Sequence, residues 1–322
     1  MARWRQWKTA GYPASGFGKG REVCAVYLSA REYGDTRALT NEQIKRDGHN
    51  GAAAVRQMQK IGPHAVTPEK YAGKELLQRV RDGWPEMARE VEALSQQLRR
   101  EFDTEQVEVD DIRRRNEWSD AGDELDYDRF RDGQFDTAWR RTRRRARGTL
   151  PTVTLAWNLD VNSSVSSGEF KWSPIAALAA TDMLEAAGYS VQLASVTAGR
   201  RGGFNDDSSY AMHAVIVEWK RPDEPLNISR ACGMLCSSDA FRLWGFRAIA
   251  ATGAPLLTAG NALYLGGSRY ETNPETTRSS EQMLNDEWDF EGKPYLVTHA
   301  FTKKAAKIEA KRLLDAVDQH RT

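Results

Sequence analysis

Residues 152–160 read Thr-Val-Thr-Leu-Ala-Trp-Asn-Leu-Asp, and residues 161–164 continue Val-Asn-Ser-Ser. The first run is short, apolar and β-branched at its start, as a strand buried on both faces is. It ends on Asp160 and runs into a polar turn. A helix follows, opened by Ser173-Pro174 and closed by Gly188, with a second apolar run over 189–196. Proline suits the first helical turn and glycine the position just past the last one. Strand, turn, helix and strand in that order predict an α/β fold with neighbouring parallel strands. They also place Asp160 and the turn oxygens at the carboxyl end of a strand, where open α/β sheets bind their ligands.

Working outward, strands are expected at 152–159, 189–196 and 211–219. Helices are expected at 174–187, 239–251 and 302–317. In the first helix, Ile175, Leu178, Ala179 and Met183 should face the sheet, with Ser173 as its cap. In the last, Thr302 is the expected cap, and Ala306, Ile308, Leu313, Leu314 and Val317 the apolar stripe. Toward the N-terminus the pattern changes. Residues 1–60 are Gly-rich and weakly periodic, an arm with short elements and one helix within 41–61. Residues 67–115 are helical, with Thr67-Pro68 as a start signal and a break near Gly83-Trp84 ahead of Pro85. The helix from Pro85 to Phe102 carries Met87, Val91, Leu94 and Leu98 on one stripe. Residues 103–149 are dense in both charges and read as a hinge. The expected organisation is therefore a helical N-terminal region with a charged hinge, 1–149, and an α/β domain, 150–322.

Composition narrows the class. The 322 residues are 40% hydrophobic and 28% charged, within the range of globular chains, and the formal net charge is +1. A charge so near zero leaves polyanion or membrane binding to local patches. No apolar run approaches the roughly 18 residues of a membrane span. The segment 1–11 is basic and aromatic but lacks the apolar core of a signal peptide. Three cysteines, Cys24, Cys232 and Cys236, provide no disulfide framework, so a reducing cytoplasm is expected. Cys232 and Cys236 have no nearby histidine to complete a zinc set and read as buried thiols on a helix face.

The turn after the first strand carries the main constellation. A hard divalent cation such as Mg²⁺ takes oxygen ligands and keeps some waters. Residues alternate in extended backbone, so side chains at +2 and +4 point the same way as Asp160. Asp160, Asn162 and Ser164 meet that spacing. On these residues the segment from 152 to about 260 resembles a von Willebrand factor A-like domain. That family opens with an apolar strand ending in Asp-x-Ser-x-Ser, followed by a helix and a β-hairpin. The resemblance implies a Rossmann-like sheet with flanking helices, and a metal-ion-dependent adhesion site at Asp160, Asn162 and Ser164. Two departures stand out. Asn162 replaces the first serine. The family's later strand ends in Thr-Asp-Gly, and the nearest string here, Thr258-Ala259-Gly260, has alanine in place of the outer carboxylate. Thr197 and Ser229 are the candidates for the family's separate ligand threonine. A weak Mg²⁺ site is what this implies. In its Arg-, Ala- and Trp-rich style the whole chain also resembles proteins carried by phages and mobile elements.

Two further patterns compete. Residues 212–220, Met-His-Ala-Val-Ile-Val-Glu-Trp-Lys, form an apolar run ending in Glu218-x-Lys220, with Asp206 and Asp207 upstream. This resembles the Asp…Glu-x-Lys arrangement of restriction-type nucleases. There, two carboxylates hold Mg²⁺ and the lysine positions the attacking water. Regular alternation places Glu218 and Lys220 on one face. Separately, Arg140, Arg141, Arg143, Arg144, Arg145 and Arg147 crowd beside Trp139. Such a cluster can neutralise phosphates while the indole stacks on a base. It can equally pair with the acidic residues between 120 and 136.

The reading that follows is a non-enzymatic, cytoplasmic binding or scaffold protein with a protein partner and a weak divalent-cation site. The alternative is a nucleic-acid-binding protein, in the manner of RNA chaperones, or an Mg²⁺-dependent nuclease using Asp207, Glu218 and Lys220.

Overall fold

The computed structural model describes residues 3–8, 22–30, 73–102, 115–119, 124–125, 131, 139–143, 151–159, 165–200, 212–240 and 274–319. In chain order these form β1 (Arg3–Lys8), β2 (Glu22–Ser29), α1 (Lys74–Asp82), α2 (Pro85–Phe102), β3 (Arg115–Ser119), β4 (Glu124–Leu125), β5 (Trp139–Arg143) and β6 (Thr152–Asn158). The chain continues with α3 (Ser167–Phe170), α4 (Trp172–Ala186), β7 (Ser190–Arg200), β8 (Met212–Lys220), α5 (Ile228–Leu235), α6 (Ser238–Ala240), α7 (Pro274–Glu287), β9 (Lys293–Val297) and α8 (Lys303–Asp318).

A six-stranded sheet runs β1-β2-β8-β7-β6-β9, and a separate three-stranded sheet runs β3-β5-β4. In the large sheet β6 is parallel to β7 and to β9, and β2 is parallel to β8. Only the β1–β2 and β7–β8 pairs are antiparallel. The expected α/β class and the strands at 152, 190 and 212 are therefore present. The pairing of β1 and β2 with this sheet was not foreseen, because nothing local in a weakly periodic segment specifies a partner strand.

Along β6 the side chains alternate between two cores. Val153, Leu155 and Trp157 lie with Val191 and Leu193 under α2, α4, α5 and α8. Ala156 lies with Ala194, Val196, Ile216 and Leu296 under Met283 and Leu284 of α7. Helices cover both faces, which is why these strands read as nearly continuous apolar runs.

Helix α4 is the centre of the larger core. Ten of its residues, from Ser173 through Thr181 plus Leu184, are buried. An amphipathic helix shows one apolar stripe, whereas one that is apolar all round is enclosed. The sheet covers one side, and α2 and α8 cover the others through Val91, Leu94, Leu98, Ala310 and Leu313. The helix also starts earlier than Ser173. Ser166 and Glu169 form a reciprocal capping box that opens α3, and α4 follows after Lys171. Ser173, freed from capping, bonds Ala300 instead: its hydroxyl donates to Ala300 O at 3.1 Å and accepts from Ala300 N at 2.7 Å. The C-terminus behaves as expected. Gly188 has φ 94°, its N–H reaches Glu185 O at 2.9 Å, and Tyr189 N–H reaches Leu184 O at 3.0 Å. That pair of bonds is a Schellman close, which glycine reaches without strain.

The N-terminal helices belong to this core. Met87, Val91, Leu94 and Leu98 of α2 are all buried in it. The α1–α2 turn is fixed by Gly83 at φ 95° and by Trp84 N–H donating to Ser229 O at 2.8 Å. At Gly233 of α5 a Cβ would sit 1.9 Å from Arg79 O, so α5 and α1 touch through backbone there. Helix α8 is capped by Thr302, whose hydroxyl accepts from Ala305 N at 3.1 Å. Its buried side is Ala306, Ala310, Leu313 and Val317, and Ile308 is 60% exposed. Ile308 lies two positions from Ala306, which on a helix is the opposite side. The helices expected within 41–61 and over 239–251 fall on residues outside the described ones, apart from α6.

Enclosure of α4 makes a sharp expectation. Leu178→Asp places an unpaired carboxylate at a fully buried position and should abolish the cooperative thermal transition. Leu178→Ala should cost about 2–5 kcal/mol in urea denaturation. A Leu178→Asp variant that kept the wild-type melting temperature would overturn this packing.

Candidate functional site at the carboxyl ends of β6 and β9

Described residues of several elements come together near the end of β6. Leu159 N–H donates to Val196 O at 2.9 Å, which holds the strand end against β7. Ser167 of α3 lies against Ser238 of α6, with their hydroxyls 2.7 Å apart. On the other flank β9 runs parallel to β6 in the register Trp157↔Val297, so Thr298 and His299 emerge beside Asn158. Asn158 is completely buried, and its Nδ2 lies 3.3 Å from His299 Nε2. The His299 ring stacks on Phe301, with centroids 5.6 Å apart. The two bonds from Ser173 to Ala300 tie this corner to the start of α4. The chain leaves β6 toward β7 on one side, while β9 flanks it on the other. The carboxyl ends of the strands are where open α/β sheets take their ligands.

The end of β9 is held from outside as well. Leu296 N–H donates to Glu281 Oε1 at 2.9 Å, and Thr298 N–H donates to Glu309 Oε1 at 2.6 Å. Arg312 donates from Nη2 to the Leu296 carbonyl and to Glu309 Oε1, and from Nε to Glu309 Oε2. Burial is the main cause that raises the Glu281 carboxyl above its ordinary value, against the opposing Leu296 N–H and Arg312 charge. Its other charged neighbours are Glu309 and Lys293.

Asp160, Asn162 and Ser164 lie outside the described residues, as do Asp207, Arg144, Arg145, Arg147 and the string at 255–260. The described residues around them are informative. Thr197 follows Val196 and so stands at the same sheet end. Ser229 lies in the first turn of α5, where its carbonyl accepts from Trp84 N–H at the α1–α2 turn. The strand beside β6 is followed by Thr298-His299, without a carboxylate. Among the described residues no group of three His, Cys, Asp or Glu side chains is placed to hold a metal. The sequence reading missed Ser167, Ser238 and His299. A signal existed only for the first, as the second residue of the Ser166–Glu169 capping box.

The Glu218–Lys220 expectation needs correction. On β7 the consecutive residues Leu193 and Ala194 pair with Lys220 and Glu218, leaving Trp219 as an extra residue in a bulge. That one residue undoes the alternation. Lys220 turns to the α4 side, where its ammonium is 2.7 Å from Glu185 Oε1 and donates to Val191 O at 2.6 Å and Arg221 O at 2.8 Å. Glu218 lies on the opposite face and accepts from Gln192 Nε2 at 2.8 Å and Arg221 Nε at 3.3 Å. The two side chains do not converge on one ion. Lys220 is 3% exposed and fastens β8 to α4.

The arginine cluster divides as well. Arg140, Arg141 and Arg143 lie in β5, the middle strand of the small sheet. The register sets Glu117 opposite Arg141 and Glu124 opposite Arg140. Cys232 and Cys236 are free and buried, and burial pushes the Cys236 thiol well up. Among the described residues no helix is long and apolar enough to cross a membrane.

These features define an α/β protein of mixed sheet with helices on both faces. The chain belongs to the family described as domain of unknown function DUF7192, whose model matches residues 36–303. No curated protein matches it, and no solved structure does.

Two outcomes follow from the geometry. Lys220→Ala leaves Glu185 without its partner and should cost about 2–3 kcal/mol in urea denaturation, a half-buried ion pair being worth less than a fully buried one. Glu218→Gln, which still accepts from Gln192, should cost under about 1 kcal/mol. The second outcome concerns pH. The raised Glu281 carboxyl favours the folded state fully below its ordinary pKa, and that contribution is lost as pH rises through the raised value. Glu281→Gln is neutral throughout. Its melting temperature relative to wild type should therefore climb from pH 4 to pH 7, and a flat or falling difference would contradict the assignment.

Proposed function

We propose that this protein is a non-enzymatic binding module of von Willebrand factor A-like form, whose ligand face lies at the carboxyl ends of β6 and β9. The order of elements supports the reading: an apolar strand (β6), a helix (α4), then an antiparallel pair (β7–β8), with a later strand (β9) returning beside the first. The observation that carries it is the arrival of Thr298 and His299, after β9, beside the buried Asn158 at the end of β6, with Asn158 Nδ2 3.3 Å from His299 Nε2. Asp160 follows Asn158 by two residues, and with Asn162 and Ser164 it supplies hard oxygen donors of the kind Mg²⁺ takes. The donor set fits such an ion chemically. It contains one carboxylate, because Thr298-His299 follows the neighbouring strand and Ala259 stands in the Thr-Ala-Gly string. One carboxylate with neutral oxygens makes a weak site, so a protein ligand's own acidic group would be needed to complete it.

The test is thermal stability in a titration with Mg²⁺ or Mn²⁺. A ligand that binds only the folded state stabilises by RT ln(1 + [L]/Kd), about 1.4 kcal/mol at ten times Kd. A shift that appears only at millimolar ion and disappears in Asp160→Ala is expected. A metal retained through purification, or a shift that survives Asp160→Ala, would sink the assignment.

A further inference from the structure

We propose that Glu281, Glu309 and Arg312 form an edge guard, three side chains that stand in for a missing strand along β9 and keep a second copy of this chain from adding its own β9 there. The inference is independent of the cation site.

Among the described strands β9 is at the end of the large sheet, with β6 on one side. The outer side of such a strand presents the N–H and C=O groups of every second residue, a ready template for another strand. Here those positions are 294, 296 and 298. Pro294 has no N–H to offer. Leu296 N–H is taken by Glu281 Oε1, the Leu296 carbonyl by Arg312 Nη2, and Thr298 N–H by Glu309 Oε1. Read along the strand, the side chains supply acceptor, donor and acceptor, the alternation a neighbouring backbone would supply. Each comes from a different point of the flanking helices, Glu281 from α7 and Glu309 and Arg312 from α8. Arg312 holds Glu309 by two bonds of 2.9 Å and lies 3.8 Å from Glu281, so the three act as one unit.

The chemistry is costly to place there. Glu309 is 5% exposed, and burying a carboxylate with a guanidinium is stabilising only where further hydrogen bonds are satisfied. The bonds satisfied here are those of the β9 edge. The occupant excluded is a second copy, because Tyr295, Leu296 and Val297 are all buried and apolar. An unguarded strand of that kind pairs with itself about a two-fold axis, the contact every molecule in solution can make.

The test compares wild type, the double variant Glu281→Ala/Arg312→Ala, and Glu281→Gln, by sedimentation velocity over a concentration series and by amide exchange. The double variant should gain a concentration-dependent association step that wild type lacks. Glu281→Gln, which keeps an acceptor for Leu296 N–H, should sediment as wild type. At low concentration the Leu296 amide of the double variant should exchange about tenfold faster or more than in wild type, and protection should return on association. A folded double variant that sediments as wild type throughout overturns the proposal. So does an equal gain of association in Glu281→Gln, or association that leaves Leu296 unprotected. If the double variant does not fold, Glu281→Ala alone carries the same expectation. Rapid exchange of the Leu296 amide in wild type would overturn the proposal by itself.

Discussion

Everything in this fold leans on the enclosure of α4. Its alanines at 176, 177, 179 and 180 are short enough to let the sheet and the outer helices approach from different sides. Dense packing of that kind is intolerant of added volume or charge. It also makes the chain interdependent. Helix α2, read from sequence as part of a separate helical region, is the lid of the core that β6 and β7 build. The bond from Trp84 to Ser229 and the backbone contact at Gly233 hold α1 and α2 to α5, and so to the sheet.

Several buried polar groups are paired in ways that place the candidate site. Ser173 accepts and donates at Ala300, and so joins the start of α4 to the turn after β9. Thr154 donates to Gln192 Oε1 at 2.8 Å, and Gln192 donates onward to Glu218, a line that crosses β6, β7 and β8. Buried polar groups satisfied in this way fix relative position, since any slip leaves a donor or acceptor unmet. The candidate site therefore stands on strand ends whose spacing is set by the ladder below and by the bonds from Ser173 to Ala300 beside it.

The bulge at Trp219 shows how one residue redirects chemistry. Without it Glu218 and Lys220 would share a face. With it, Lys220 turns inward to Glu185, and Trp219 donates from Nε1 to Ser195 Oγ at 2.7 Å. A motif defined by spacing depends on a regular strand, and antiparallel pairs such as β7–β8 are where bulges occur.

The elements carried by local rules were legible in the chain. β6, β7 and β8 announced themselves by apolar runs, α2 by its stripe from Met87 to Leu98, and α8 by Thr302. Gly188 marked the end of α4, because a left-handed close favours glycine whatever surrounds it. The capping box at Ser166 was equally local and was overlooked, which put the start of α4 too late. Ile308 was misplaced by counting apolar residues without the helical step. What tertiary structure alone decided is the set of pairings between distant segments: β1 and β2 joining β8, β9 returning beside β6, Thr298 and His299 arriving next to Asn158, and Glu281 and Arg312 closing an edge from two helices. Strand pairing and register are long-range choices. They follow from the total burial and hydrogen bonding of the finished sheet, and no window of sequence contains that sum.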